Sequence, residues 1–75
     1  MTPDAELDAR GLLCPLPVLK AARRMRALER GHVLRMIADD PAAVVDVPHF
    51  CQEQGHELLR AADEDGAQVY WIRRG

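Results

Sequence analysis

The sequence predicts a two-layer α/β sandwich of the α+β kind, ordered β-α-β-α-β-β, with a mixed four-stranded sheet and two helices on one face. Three observations carry this expectation. The apolar residues change period along the chain, from strand-like to helical and back. Each change falls at a glycine or proline, the residues that punctuate local structure. Near the end, Asp65-Gly66 stands between two apolar runs, which is a hairpin signal.

Ala5 to Asp8 forms the first short strand, followed by a turn around Gly11. From Pro15 onward Val18, Ala21, Ala22, Met25 and Leu28 recur at helical spacing, with Lys20, Arg23, Arg24 and Arg26 between them. Gly31 is expected to end this helix as a left-handed cap. His32 to Ala38, rich in Val, Leu, Met and Ile, reads as the second strand. Asp39-Asp40-Pro41 opens a turn. Because Pro48 would break a long helix, residues 41–45 are read as irregular and the second helix as starting near Asp46, its N-cap. Val47, Phe50, Cys51 and Gln54 share its inner face and Gly55 stops it. Glu57 to Ala62 and Gln68 to Arg73 are the last two strands. Alternation sends Tyr70 and Trp71 to opposite faces, one core and one exposed.

Seventy-five residues make a single domain, 1–75, which buries roughly 60% of its unfolded surface and has little room for an enclosed substrate pocket. The start, Met1-Thr2-Pro3-Asp4-Ala5-Glu6, has neither the basic nor the apolar stretch of a targeting segment. No apolar run approaches the ~20 residues of a membrane span. Two cysteines are too few for a disulfide framework, although spacing alone leaves a Cys14–Cys51 bridge open. A reducing cytoplasm with free thiols is the simpler expectation. Net charge is −2, but residues 1–35 carry +3 and residues 36–75 carry −5. That asymmetry favours docking of the first half to an acidic partner.

The informative stretch is Gly11-Leu12-Leu13-Cys14-Pro15-Leu16-Pro17. Cys14 falls where a loop becomes a helix, so peptide dipoles place partial positive charge beside the sulfur and favour its anion. Arg10 adds a second positive influence if the turn folds it back. Pro15 and Pro17 suit a first helical turn, where N–H groups lack acceptors, and they frame the sulfur outward. Their missing donors leave Leu16 and Val18 to supply N–H groups. The alternative is a small buried hydrophobe, but a core cysteine needs no flanking prolines. No second cysteine stands at Cys-x-x-Cys spacing, so disulfide exchange is disfavoured. Cys51, beside Phe50, reads as a packed core thiol. His32, His49 and His56 form no metal constellation with it. The basic helix face (Lys20, Arg23, Arg24, Arg26), together with Arg10, is a candidate docking surface beside its ordinary reading as a solvated face.

The run Asp8-Ala9-Arg10-Gly11-Leu12-Leu13-Cys14-Pro15-Leu16-Pro17 resembles the Cys-Pro-x-Pro signature of the TusA-like (SirA-like) sulfur-carrier family. The likeness continues through Asp40-Pro41, Asp46-Val47-Pro48-His49-Phe50-Cys51, Gly55-His56-Glu57-Leu58 and Ile72-Arg73-Arg74-Gly75. It implies a carrier that takes sulfur as a persulfide on Cys14 from a cysteine desulfurase or a rhodanese-type donor, and passes it to an acceptor protein. Such a protein is a relay component rather than a stand-alone enzyme. It needs no cofactor beyond the covalent persulfide, no metal and no membrane, binds no nucleic acid stably, and works as a monomer. Branches of the family serve tRNA 2-thiouridine synthesis, molybdenum-cofactor assembly and sulfur oxidation. Leu16 stands where the tRNA branch commonly has an acidic residue, while the match from Phe50 to Leu58 points towards that branch. A small RNA-binding module and a thiol redox regulator are the competing readings. Few aromatics and an acidic balance disfavour the first, and the lack of a resolving thiol disfavours the second.

Overall fold

The computed structural model describes residues 2–75. Its elements are β1 (Ala5–Asp8), α1 (Leu16–Arg26), β2 (Val33–Ala38), α2 (Ala43–Gln54), β3 (Glu57–Glu64) and β4 (Ala67–Arg73). The expected β-α-β-α-β-β order holds. The four strands make one sheet in the order β1-β2-β4-β3. β1 and β2 are parallel, and both β2–β4 and β3–β4 are antiparallel. Parallel neighbours need a crossover, which α1 supplies.

Alternation along the strands divides the sheet into two faces. Leu7, Leu34, Met36, Ala38, Tyr70 and Ile72 point to the helices and join Ala21 and Met25 of α1 with Ala43, Val47, Phe50 and Cys51 of α2 in one core. The other face carries Arg35, which pairs with Glu6 at 3.2 Å and Glu64 at 3.5 Å and lies 5.8 Å from the Trp71 ring centroid. Tyr70 is therefore the buried aromatic, and Trp71 is half-buried on the face without helices. The β3–β4 turn consists of Asp65 and Gly66, both at positive φ (51° and 82°), as a type I′ hairpin requires.

The parallel β1–β2 register, with Asp8 opposite Ile37, brings the C-terminal ends of both strands to one edge of the sheet. The segment after β1, which holds Cys14, and the segment after β2, which holds Asp39 and Asp40, thus lie side by side. At the opposite edge the chain ends are tied in. Asp4 N–H donates to Val33 O at 2.8 Å, Arg74 N–H to His32 O at 2.8 Å, and Gly31 N–H to Arg74 O at 2.9 Å.

Three local expectations are corrected. Gly31 does not cap α1. The helix ends at Arg26, where the N–H groups of Ala27 and Leu28 reach back only three residues, to Arg24 O and Met25 O at 3.1 Å each. Gly31, at φ 88°, instead shapes the turn closed by His32 N–H on Glu29 O at 3.0 Å.

The second correction is that α2 begins at Ala43 and carries Pro48 inside it. Ala42, not Asp46, is its N-cap, and Asp40 holds the turn before it, because Ala42 N–H donates to Asp40 Oδ1 at 3.1 Å and Ala43 N–H to Asp40 O at 2.9 Å. Pro48 removes one helical bond, the one that would end on Val44 O. Val44 is exposed, so water can meet that carbonyl, and the buried pair Ala43 and Val47 holds the extra turn against the sheet. Third, Gln54 is exposed, and Ala43 takes a place on the inner face. Gly55 does stop the helix, in the left-handed conformation at φ 74°.

Candidate functional site

Cys14 is exposed and Cys51 is buried, and both thiols are free. Burial pushes the Cys51 thiol up to about 11, which suits a packed core residue. Cys14 stands before α1, and its peptide bond to Pro15 is cis. Leu16 N–H donates to Leu13 O at 2.8 Å, closing a turn around the cysteine.

That turn is held from a distance by two carboxylates. Gly11 N–H donates to Asp39 Oδ1 at 2.9 Å, and Cys14 N–H donates to Asp40 Oδ2 at 2.6 Å. Asp40 spends its other oxygen on Ala42 N–H, so one side chain anchors the cysteine and the entrance to α2 together. These residues lie 26 to 28 positions from their partners and meet them only because β1 and β2 run parallel. Asp40→Ala is expected to lower stability by about 1–3 kcal/mol, since two N–H groups lose a charged acceptor. Thermal melting reads the loss. A melting curve that overlays the parent's would show the clamp to be dispensable.

Beside the sulfur is an open groove of about 260 Å³ lined by Cys14, Pro15, Val18, Asp46, His49, Phe50, Glu53 and Gln54. The Asp46 carboxylate lines this groove together with the sulfur. Its proximity to the thiol, then partial burial and the negative charges of Asp46 and Asp40, raise the Cys14 pKa above its ordinary value. The expectation from the helix start was the reverse. Two facts account for the difference. Pro15, not Cys14, is the N-cap residue, and the first-turn donors are depleted because Pro17 has none and Leu16 N–H is engaged. Val18 N–H makes no backbone bond among the described residues and remains the nearest free helix donor. Nearby carboxylates then outweigh a weakened dipole.

The predicted basic residues are not gathered at the sulfur. Arg10 forks onto Asp8, with Nε and one terminal nitrogen donating at 3.0 and 2.9 Å. Those bonds hold the Asp8 carboxyl down at about 2. Arg23, Arg24 and Arg26 lie in the last turn of α1, where they complement the helix dipole. At ~1.5 Å per residue that turn is roughly 10–15 Å along the axis from Leu16. Arg24 also donates to Glu6 O at 2.6 Å. Lys20 and Arg23 make no ion pair among the described residues and line a separate groove with Leu7, Arg24 and Ala27.

Large hydrophobic side chains are also left exposed: Leu13 (70%) and Leu16 close to Cys14 in the chain, Leu19 on α1, and Val44 and Val45 (71%) on α2, where Val44 lines a different groove with Pro48, Ala61 and Tyr70. Sequence reasoning missed these exposed side chains and the three aspartates. The one available signal was Asp39-Asp40 at the end of a strand. Among the described residues no His, Cys, Asp or Glu cluster fits a metal, and no helix is long and apolar enough to cross a membrane.

A small α/β domain that clamps one accessible thiol at a sheet edge, beside an open groove, is built to hand something over rather than to enclose a substrate. Comparison with known proteins agrees. The model of the family described as Sulfurtransferase TusA matches residues 5–74. A sulfur carrier protein TusA of Pseudomonas putida (strain W619) is 49% identical over 73 residues, spanning 97% of this chain and 91% of that protein. Its counterpart in Pseudomonas syringae pv. syringae (strain B728a) is 47% identical over 74 residues, 99% of this chain and 88% of that one. The crystal structure of a SirA-like protein from Desulfitobacterium hafniense superposes with a TM-score of 0.84 at 25% identity, covering 95% of this chain and 97% of that one. The chain belongs to the TusA sulfurtransferase family.

Proposed function

We propose that this protein is a cytoplasmic sulfur carrier that holds sulfur as a persulfide on Cys14. The observation that carries the proposal is the exposure of Cys14 on a turn tethered by Asp39 and Asp40, while the other thiol is buried. In the loading step the Cys14 sulfur attacks the outer sulfur of a donor persulfide. A new S–S bond forms on Cys14, the donor S–S bond breaks, and its electron pair stays on the donor as a thiolate that takes up the proton lost by Cys14. No net oxidation occurs, so no cofactor is required. Passing the sulfur on repeats the same exchange with an acceptor thiol as the attacker.

The donor is a cysteine desulfurase or a rhodanese-type sulfurtransferase, and the acceptor is another protein of the relay. Thiolation of tRNA is the leading destination, with molybdenum-cofactor assembly and sulfur oxidation as the alternatives. The exposure of Leu13 and Leu16, which flank Cys14 in the chain, supports a docking face at the sulfur. Lys20, Arg23, Arg24 and Arg26, with Arg10, would extend the footprint along α1 towards an acidic partner. Serving two partners in turn through one face suits a monomer.

The test is intact-mass spectrometry after incubation with a cysteine desulfurase, cysteine and pyridoxal phosphate, followed by non-reducing peptide mapping. The expected result is a gain of one sulfur, cleared by reductant, on the peptide containing Cys14. Sulfur on the Cys51 peptide would overturn the assignment. No gain from either the desulfurase or a rhodanese with thiosulfate would overturn the function.

A further inference from the structure

We infer that Asp46 is the residue that holds the carrier thiol in its protonated, unreactive state when no partner is bound. This rests on the reading of Cys14 as the sulfur-bearing residue and adds a control device to it. Three observations converge. Asp46 and Cys14 line the same groove. Glu53 lines it too, and no Lys or Arg among the described residues does. Asp40 is tied to the Cys14 N–H at 2.6 Å, which brings a second negative charge close to the sulfur.

The groups facing the sulfur can be named element by element. From α2 come Asp46, His49 and Glu53, with His49 Nε2 and Glu53 Oε1 3.3 Å apart and turned towards each other. From the turn before α2 comes Asp40. From α1 come Pro15 at its cap and Val18, which carry no charge. Arg10 is in the same loop as Cys14, but its guanidinium is engaged by Asp8. No Lys or Arg lines the groove among the described residues. The balance around the sulfur is therefore negative, and like charge disfavours an anion. The raised Cys14 pKa agrees with the geometry.

The consequence is a carrier whose nucleophile is masked in isolation. An exposed thiolate is open to oxidation and alkylation, whereas a thiol is far less so. Unmasking needs positive charge against Asp46, and no Lys or Arg among the described residues lines that groove. A partner that docks beside Cys14 and brings a cationic side chain to Asp46 would release the thiolate where a sulfur donor or acceptor waits.

The test follows the rate of Cys14 alkylation by iodoacetamide against pH, a readout that does not depend on sulfur transfer. If Cys14 carries no sulfur, the loading experiment fails and this one still reports. Native protein is compared with the same protein in concentrated urea, and with Asp46→Asn, Asp46→Glu and His49→Gln. The native curve is expected at higher pH than the urea curve. Asp46→Asn should move it to lower pH and raise the rate at neutral pH several-fold. Asp46→Glu should largely restore the parent curve and His49→Gln should leave it in place. A native curve at or below the urea curve overturns the inference, and does so even if Asp46→Asn fails to fold. An Asp46→Asn curve that overlays the parent's, or an equal shift in His49→Gln, overturns it as well.

Discussion

Cys14→Ala is expected to abolish sulfur loading completely and to leave the fold as it is. The loss is total because the other thiol cannot take over. Cys51 is buried between the helices and the sheet, and its pKa is pushed up to about 11, so neither access nor ionisation allows it to attack a donor persulfide. The fold survives because the Cys14 side chain buries little. Its backbone N–H, which anchors the turn on Asp40, is present in alanine as well. Asp46, which shares the groove with the thiol, is part-exposed and stays open to water. Intact mass after incubation with a donor, read beside a thermal melt, checks both halves. Residual loading of Cys14→Ala at the parent's level would move the site elsewhere. A melt lowered by several kcal/mol would mean that Cys14 has a structural task.

Ile72→Ala is expected to have the largest effect on stability. Ile72 lies on β4, one of the two inner strands, and is fully buried opposite Leu34 of β2 and Leu58 of β3. Truncating a buried Ile costs about 2–5 kcal/mol, the removed surface and the residual cavity acting together. At about 0.05–0.15 kcal/mol per residue, a chain of 75 residues holds only roughly 4–11 kcal/mol in all. The substitution therefore removes a large share of the total, and at the low end unfolds the protein at room temperature. Urea denaturation followed by Trp71 fluorescence measures it, because Trp71 adjoins Ile72 on the opposite face of the sheet. A loss below about 1 kcal/mol would mean that the core closes over the missing atoms.

Local signals in the sequence were enough for the strands and poor for what joins them. β1 was delimited as Ala5 to Asp8, and Asp65-Gly66 marked its hairpin, because alternation and positive φ are written in neighbouring residues. The start of α2 was misplaced because proline at position 48 is locally a breaker. Whether a helix tolerates it depends on an exposed carbonyl at Val44 and on the burial of Ala43 and Val47, which are tertiary facts. The site divides in the same way. Cys14 and its prolines were legible as a motif. The Asp39 and Asp40 clamp was not, since it arises only when parallel pairing brings two distant segments to one edge. The sign of the Cys14 pKa shift failed for the same reason. A helix start can be inferred from nearby residues, but Asp46 comes to share a groove with the sulfur only through the packing of α2 beside α1.

The hydrogen bonds that tie Asp4 to Val33 and Arg74 to His32 have a practical side. Both tails leave the sheet at the edge away from Cys14, so a fluorophore, an affinity handle or a surface tether attached to either would hang clear of the sulfur. A molecule immobilised in this way would keep its thiol turned to solution, free to meet a donor and then an acceptor. The same geometry lets one tagged preparation serve for capturing partners and for counting sulfur.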